Sequence, residues 1–266
     1  MVSTPIAGCS PISGPFNLRD AYRRVSDRVA EAAIRSGRTA KDVLVVAVTK
    51  TATPDQIRFL VEQGHADLGE SRVGPLTQRV ASIQEFVSRK RTLPGAASRN
   101  GLVPKVRWHM IGHLQRNKVK QVVPLVQLVH SVDSLRLAEE IHAFASRTDR
   151  VVDILLQVNA SAEPNKFGVA TPAVVHLAEQ IDTMMHLRLR GIMAMAPRCD
   201  QSEQARATFA RTAEIFSDMR SAKVGGSDCN ILSMGMSDDF EVAIEEGANV
   251  VRLGRVLFGN PPTPLI

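Results

Sequence analysis

The sequence predicts an α/β fold, a (β/α)8 TIM-type barrel preceded by one N-terminal helix, in a single domain. Three observations predict it. Eight short apolar runs alternate with helix-period segments. The runs are almost continuously apolar, as suits parallel strands covered by helices on the outside. The chain has 266 residues, room for eight such units in one closed ring. An open doubly wound sheet is the alternative. No GxGxxG follows the first strand, which weakens that alternative.

The elements follow in order. A helix over about Asn17–Ser36 carries Ala21, Val25, Val29, Ala32 and Ala33 at helical spacing, and "SGRT" breaks it. Val43–Val48 reads as the first strand. Thr53 as N-cap and Pro54 at the first helical position open a helix to Gln63, with Gly64 as its stop. A short strand Ala66–Gly69 and a helix from about Gly74 to Lys90 come next. "RTLPGAASRNGLVPK" is rich in turn formers and reads as a surface insertion. The remaining strands are Val106–Ile111, Leu128–Val132, Val152–Val158, Leu187–Met193, Asn230–Met234 and Asn249–Leu253. Between them run helices at about Arg116–Val123, Asp133 (as N-cap) to Ala145, Pro172–Asp182, Ser202–Ser221 and Asp238–Glu246. Residues 1–15 read as a flexible Pro/Gly/Ser-rich tail, 16–260 as the barrel and 261–266 as a C-terminal tail.

Composition narrows the function. The net charge of +6 permits an anionic ligand, but Lys and Arg are spread along the chain. The densest basic run, "SRKRT", ends a helix and complements its dipole. Aromatic residues make up 4%, too few for the stacking platforms of single-strand nucleic-acid binders. Neither nucleic acid nor a membrane is expected as a partner: no apolar run approaches spanning length. Cys9, Cys199 and Cys229 form no CxxC and no disulfide framework, which favours a reducing cytoplasm. "IAGC" resembles a lipoprotein cleavage site but lacks a basic region and an apolar stretch before it.

In such a barrel the site lies at the C-terminal ends of the strands. The first strand ends in "TKT", and by period-two alternation Lys50 shares a face with Val48, Val46 and Leu44. An amine on an inward face would be desolvated, which favours its neutral, nucleophilic form. Lys50 can equally be a solvated strand end. The last two strands end in "LSMGMSDDF" and "VRLGRVLFG". Ser233, Gly235 and Ser237 offer hydroxyls and close backbone approach, Gly254 bares its N–H, and Arg255 supplies a cation. Together they make an anion cradle where barrels often hold phosphate. Singly, Ser237 reads as an N-cap and Gly254 as a tight turn. A lysine amine beside a phosphate cradle is the pairing that pyridoxal 5′-phosphate (PLP) needs. Arg252 shares the face of Gly254 and is placed either to meet the pyridine nitrogen or to bind strand carbonyls. His109 and His113 stand four apart, but one lies in a strand and one beyond it, a poor zinc geometry. Lys166 in "EPNKFG" is a second amine at the rim or a solvated loop residue.

The stretches "VAVTK", "ADLGES", "WHMIGHLQRNK", "VHSVDS", "LLQVN", "KFGV", "RGIMAM", "LSMGMSDDFEVAI" and "VRLGRVLFG" run in one order along the chain. In these the chain resembles the pyridoxal phosphate homeostasis proteins, which look like the barrel domain of alanine racemase. The resemblance implies PLP held as an aldimine on Lys50, phosphate contacts from Ser233, Ser237, Gly254 and Arg255, and Arg252 near the ring nitrogen. Two positions depart from the family pattern. Ser71 stands where Asn is frequent after the Glu of "GE", and Arg255 where a small hydroxyl residue is frequent.

Racemization by the alanine racemase route needs a lysine on one face of the adduct and a tyrosine on the other. The one tyrosine here, Tyr22, lies in the first predicted helix, and few residues follow the last strand. The expectation is therefore a non-catalytic, monomeric, cytoplasmic protein of intracellular PLP (vitamin B6) homeostasis. Its expected partners are PLP and the PLP-dependent apoenzymes that receive it. A PLP-dependent racemase of low activity is the alternative.

Overall fold

The computed structural model describes residues 17–92, 104–161, 163, 167–197 and 200–259. The predicted tails, most of the surface insertion, and Cys9, Lys166 and Cys199 lie outside the described residues.

Eight parallel strands close into a barrel: β1 (Leu44–Val48), β2 (Asp67–Glu70), β3 (Arg107–Met110), β4 (Leu128–Val132), β5 (Val152–Asn159), β7 (Leu187–Ala194), β8 (Ile231–Ser233) and β9 (Val250–Leu253). A two-residue strand the sequence did not announce, β6 (Val169–Ala170), pairs with the end of β5. The ring closes because β1 pairs with β9, Val46 opposite Arg252 and Ala47 opposite Leu253, while β4 pairs with β5. No helix among the described residues is long and apolar enough to cross a membrane.

The outer layer follows from local sequence. Asn17 caps α1 (Leu18–Arg35), whose stripe Ala21, Val25, Val29, Ala32 and Ala33 is buried. Thr53 and Gln56 form the capping box of α2 (Pro54–Glu62), with Pro54 at its first position. Further round lie α3 (Val73–Thr92), α4 (Val119–Val122), α5 (Leu135–Arg147), α6 (Val174–Asp182), α7 (Arg206–Ser221), α8 (Phe240–Glu245) and α9 (Arg255–Phe258). Two expected starts move. Ser134, not Asp133, is the N-cap of α5, because the Asp133 carboxylate is engaged by His113 and the Ser134 hydroxyl. The segment from Thr171 begins as a 3-10 turn carrying Pro172, and the α-helix starts at Val174. The region Arg116–Leu125 is likewise one short α-helix between two 3-10 turns.

Helix α1 also locks the last turns of the chain. Arg28 and Arg35 pair with Glu241 and Glu245 of α8, and Arg38 donates to the carbonyls of Ile244, Gly247 and Ala248. Carbonyls left open at the C-terminus of α8 thereby gain donors. The N-terminal end of the barrel is closed by ion pairs: Arg107 on Asp67, and Arg188 and Arg190 on Asp153.

Strand β7 carries one residue more than β5 between the pairs Leu189–Ile154 and Gly191–Leu155. Gly191 sits there at φ +141°, and a Cβ on it would lie 1.9 Å from the Ile231 carbonyl oxygen. Gly191→Ala must therefore break the β7–β8 seam or strain it. We expect a loss of about 3 kcal/mol or more, read as a lowered urea midpoint; a change below about 0.5 kcal/mol would contradict the seam geometry.

Candidate functional site

Lys50 is the middle residue of a 3-10 turn, Thr49–Thr51, at the C-terminal end of β1, and it is exposed. The desolvation expected of its amine is thus not supplied by the fold. What the fold supplies is a fixed platform. Thr49 is fully buried beside it, its hydroxyl 3.1 Å from the Gly69 carbonyl oxygen and 3.0 Å from Glu70 Oε2. Glu70, 1% exposed, is paired with Arg79 of α3, which also donates to the Ala52 carbonyl at 3.4 Å. The other carboxylate oxygen accepts the Ser71 and Arg72 amides at 2.7 and 3.3 Å. Through Glu70, the residues on both sides of Lys50 are tied to β2 and α3.

The loops after β8 and β9 meet across the seam next to β1. The amides of Gly254 and Val256 both point at Ser237 Oγ, at 3.4 and 3.3 Å. Ser237 is not the N-cap of α8. That residue is Asp239, whose carboxylate turns back to accept the Met236 amide at 2.6 Å. Gly254 lies against β1: a Cβ on it would sit 3.4 Å from the Val48 Cβ. The converging amides therefore border the strand that leads, two residues on, to Lys50.

Three other expected site residues have partners of their own. Arg255 is exposed and ion-paired with Asp238. Ser71 is half-buried on the rim, its hydroxyl 3.4 Å from the Glu70 carboxylate and its carbonyl packed against Gly112. Ser233, expected among the phosphate contacts, is fully buried, with its hydroxyl 2.7 Å from Arg252 Nη1 and 3.1 Å from His130 Nδ1. The inward alternation of β8 carries it into the barrel, away from the Gly254 and Val256 amides that gather at Ser237.

Arg252 is buried inside the barrel and donates to Ser233 Oγ and, at 3.0 Å, to the Ala194 carbonyl. From Ser233 a line of polar contacts runs towards the closed end. His130 Nε2 lies 3.0 Å from His109 Nδ1, and His109 Nε2 lies 3.1 Å from Asp67 Oδ1. Arg107 grips the two Asp67 oxygens at 2.7 and 2.5 Å. Burial pulls the Arg252 guanidinium down to about 10, opposed by the Asp239 charge. Burial, with His109 and Arg252 as neighbours, holds His130 well below the usual imidazole range. Burial pushes Asp67 up, but its bonds to His109 and Arg107 outweigh this and bring it to about 2. Sequence reasoning missed this line. Its signal was a polar residue at an inward position on each of three neighbouring strands: the Asp of "ADLGE", the His of "WHM" and the His of "LVHSV".

His109 has both ring nitrogens engaged, and His113 lies instead at the rim, 3.1 Å from Asp133 and stacked on Phe167. Among the described residues no group of three His, Cys, Asp or Glu is placed to hold a metal. Tyr22 meets His65 Nδ1 at 3.3 Å, just before β2, at the barrel end opposite Lys50.

Residues 30–262 match the family model of the alanine racemase N-terminal domain. A pyridoxal phosphate homeostasis protein of Aquifex aeolicus is 34% identical over 249 residues, covering 92% of this chain and 99% of that one. One of Pseudomonas aeruginosa is 34% identical over 91% of this chain and 95% of its own. The chain belongs to the pyridoxal phosphate homeostasis protein family. Among solved structures, PipY of Synechococcus elongatus PCC7942, described with PLP bound, superposes with a TM-score of 0.70 at 28% identity, covering 88% of this chain and all of that one. Alanine racemase of Clostridium difficile 630 reaches a TM-score of 0.65 at 15% identity, with 93% of this chain and 57% of that chain covered, and shares the barrel fold.

The buried imidazoles make stability depend on pH. His65 is also held below its ordinary range, chiefly by burial. Folded His65 and His130 refuse protons that the unfolded chain accepts, so their contribution is full above about pH 6.5 and is lost as pH falls below it. Asp67 adds a contribution present above its ordinary 3.8 and lost towards about 2. Urea midpoints should therefore fall steadily from pH 7.5 to pH 5. A flat profile would contradict two neutral, buried histidines.

Proposed function

We propose that this protein binds PLP through a Schiff base on Lys50 Nζ and holds it for intracellular vitamin B6 homeostasis, without turning over a substrate. One observation carries the reading. An exposed amine on a rigid turn and two converging backbone amides stand at the same end of the barrel, on adjoining strands. The amides of Gly254 and Val256, with the Ser237 hydroxyl, suit phosphate oxygens, and Gly254 leaves space where a side chain would intrude. Bound PLP would supply an aldehyde for the amine and a conjugated ring that takes up electrons. Arg252 is the donor suited to the ring nitrogen. A guanidinium there does not give up its proton, which keeps that nitrogen unprotonated and weakens the electron sink. Arg255 is positioned on the same loop to exchange Asp238 for a phosphate, and Ser71 to border the ring from β2. The names of the relatives and the PLP described with PipY support the reading. We propose further that the protein works as a monomer in the cytoplasm and that PLP-dependent apoenzymes are its recipients.

The competing reading is a slow amino-acid racemase. It has the barrel in common with alanine racemase. Two-face proton exchange needs a second acid–base group, and the one tyrosine of the sequence, Tyr22, is bound to His65 at the far end.

Protein mixed with PLP should show the visible band of a protonated Schiff base. Borohydride should bleach it and leave a reduced adduct on Lys50, and Lys50→Ala should show neither. An adduct on Lys166 with Lys50 unmodified would overturn the site. In heavy water, α-deuterated amino acids should keep their label in the presence of the loaded protein. Loss of label at rates of about 1 per second or faster, typical of enzymes, would establish the racemase.

A further inference from the structure

The partners of Arg252 are a hydroxyl and a carbonyl oxygen, yet it is a cation buried in the barrel. Such a charge requires compensation. Asp239 acts on it from nearby without touching it, and a line of hydrogen bonds leads from the guanidinium to a second carboxylate, Asp67. A guanidinium has no acceptor, so Arg252 Nη1 donates to Ser233 Oγ. At the other end, Asp67 is gripped by Arg107 through both oxygens and is ionised, so it only accepts. His109 must then carry its proton on Nε2, to donate to Asp67 Oδ1. With that single proton, His109 accepts at Nδ1, so His130 donates from Nε2 and accepts at Nδ1 from the Ser233 hydroxyl. Every donor points the same way, from Arg252 to Asp67. The reverse order would set a bare His109 Nε2 against the Asp67 carboxylate, acceptor against acceptor.

The other charged and titratable groups do not disturb this order. His65 and Arg107 face His109, and both are themselves engaged with Asp67. Asp239 faces Arg252 from the β8–α8 loop without contacting it, and its carboxylate binds the Met236 amide. His130 faces only His109, Ser233 and Arg252 among the groups that act on it.

We infer that Asp67, His109 and His130 are positioning residues for Arg252. They form an oriented donor chain that joins the guanidinium beneath the cofactor site to a counter-charge at the closed end of the barrel. The chain keeps Arg252 charged and aimed, His130 neutral, and the proton of each histidine on Nε2. Its role toward PLP rests on the reading of the site given above. There, a fixed and fully charged Arg252 sets the electron demand of the bound ring. Damage at Asp67 would reach that ring through four side chains, His109, His130, Ser233 and Arg252.

The test uses 15N-labelled histidine in the full chain without added PLP. Two-bond nitrogen–proton spectra should show His130 as a neutral Nε2–H tautomer from pH 5.5 to pH 8, and the His109 proton on Nε2. In Asp67→Asn the amide can donate as well as accept, so the direction of the chain is no longer imposed. His130, two hydrogen bonds from the substitution, should then become a mixture of tautomers, while Tyr22–His65 and the overall circular dichroism report an intact fold. A charged or Nδ1–H His130 in the unaltered protein would overturn the inference. So would an unchanged His130 in Asp67→Asn. With PLP added, Asp67→Asn should shift the visible band and weaken binding roughly tenfold, the size expected for one charged hydrogen bond. Ser237→Ala should weaken binding and leave both the band and the tautomers alone. A band and affinity in Asp67→Asn equal to those of the unaltered protein would overturn the role toward PLP. Failure of the unaltered protein to bind PLP would overturn the cofactor reading itself, with the tautomer result standing separately.

Discussion

Closure of the ring by β1 on β9 is the constraint on which the rest depends. The Lys50 turn comes from the first strand and the Ser237–Gly254–Val256 cradle from the last two. They are neighbours only because Leu44 to Ala47 pair with Val250 to Leu253. Other contacts hold that closure in place. Helix α1 packs on α8 and α9 near the same seam, and its Arg28 and Arg35 pair with α8. Gln56 of α2 donates to the Phe258 carbonyl at the end of α9. The first turns after β1 and the last turns of the chain are thereby one packed unit.

The inside of the ring departs from the usual filling of such barrels, where branched apolar side chains dominate. One part is apolar, with Leu128, Leu155 and Met193 in contact. Across the inside also runs a polar line, its members hydrogen-bonded in turn, from Arg107 through Asp67, His109, His130 and Ser233 to Arg252. Leaving any one of these groups unpaired would be costly in so dry a place. The chain therefore behaves as one unit. It ends at Arg252, two residues before Gly254 and its amide at the C-terminal end of the strands.

Rigidity and exposure are divided in a way that suits a carrier. Lys50 is open to solvent, while Thr49 and Ala52 on either side of it are held by Glu70 and Arg79. Glu70 takes up amides of its own loop as well. An accessible amine on a stiff support can meet an incoming ligand and release it without rearranging the barrel. The pairing of Arg255 with Asp238 adds a charge at the same mouth that an anion can compete for.

The sequence by itself determined the elements, the barrel and the placing of Lys50, Ser237 and Gly254 at one end of it. These rest on local signals: apolar runs of strand length, helical stripes, the Thr53–Pro54 start, and loops rich in Gly and Ser at known positions in the strand order. Pairing in a closed parallel ring then puts consecutive strand ends side by side. Only the tertiary structure decided what each polar side chain touches. Period-two alternation put Lys50 on the face of Val46 and Val48 and Arg252 on that of Gly254, but did not tell that a 3-10 turn lifts Lys50 into solvent or that Ser233 is taken by Arg252 and His130. The Asp67–His109–His130 line was invisible because its members lie on three strands and look, singly, like isolated polar residues in apolar runs. Hydrogen bonding is short-ranged and directional, so its partners are set by the ring that brings strands together, not by neighbours along the chain.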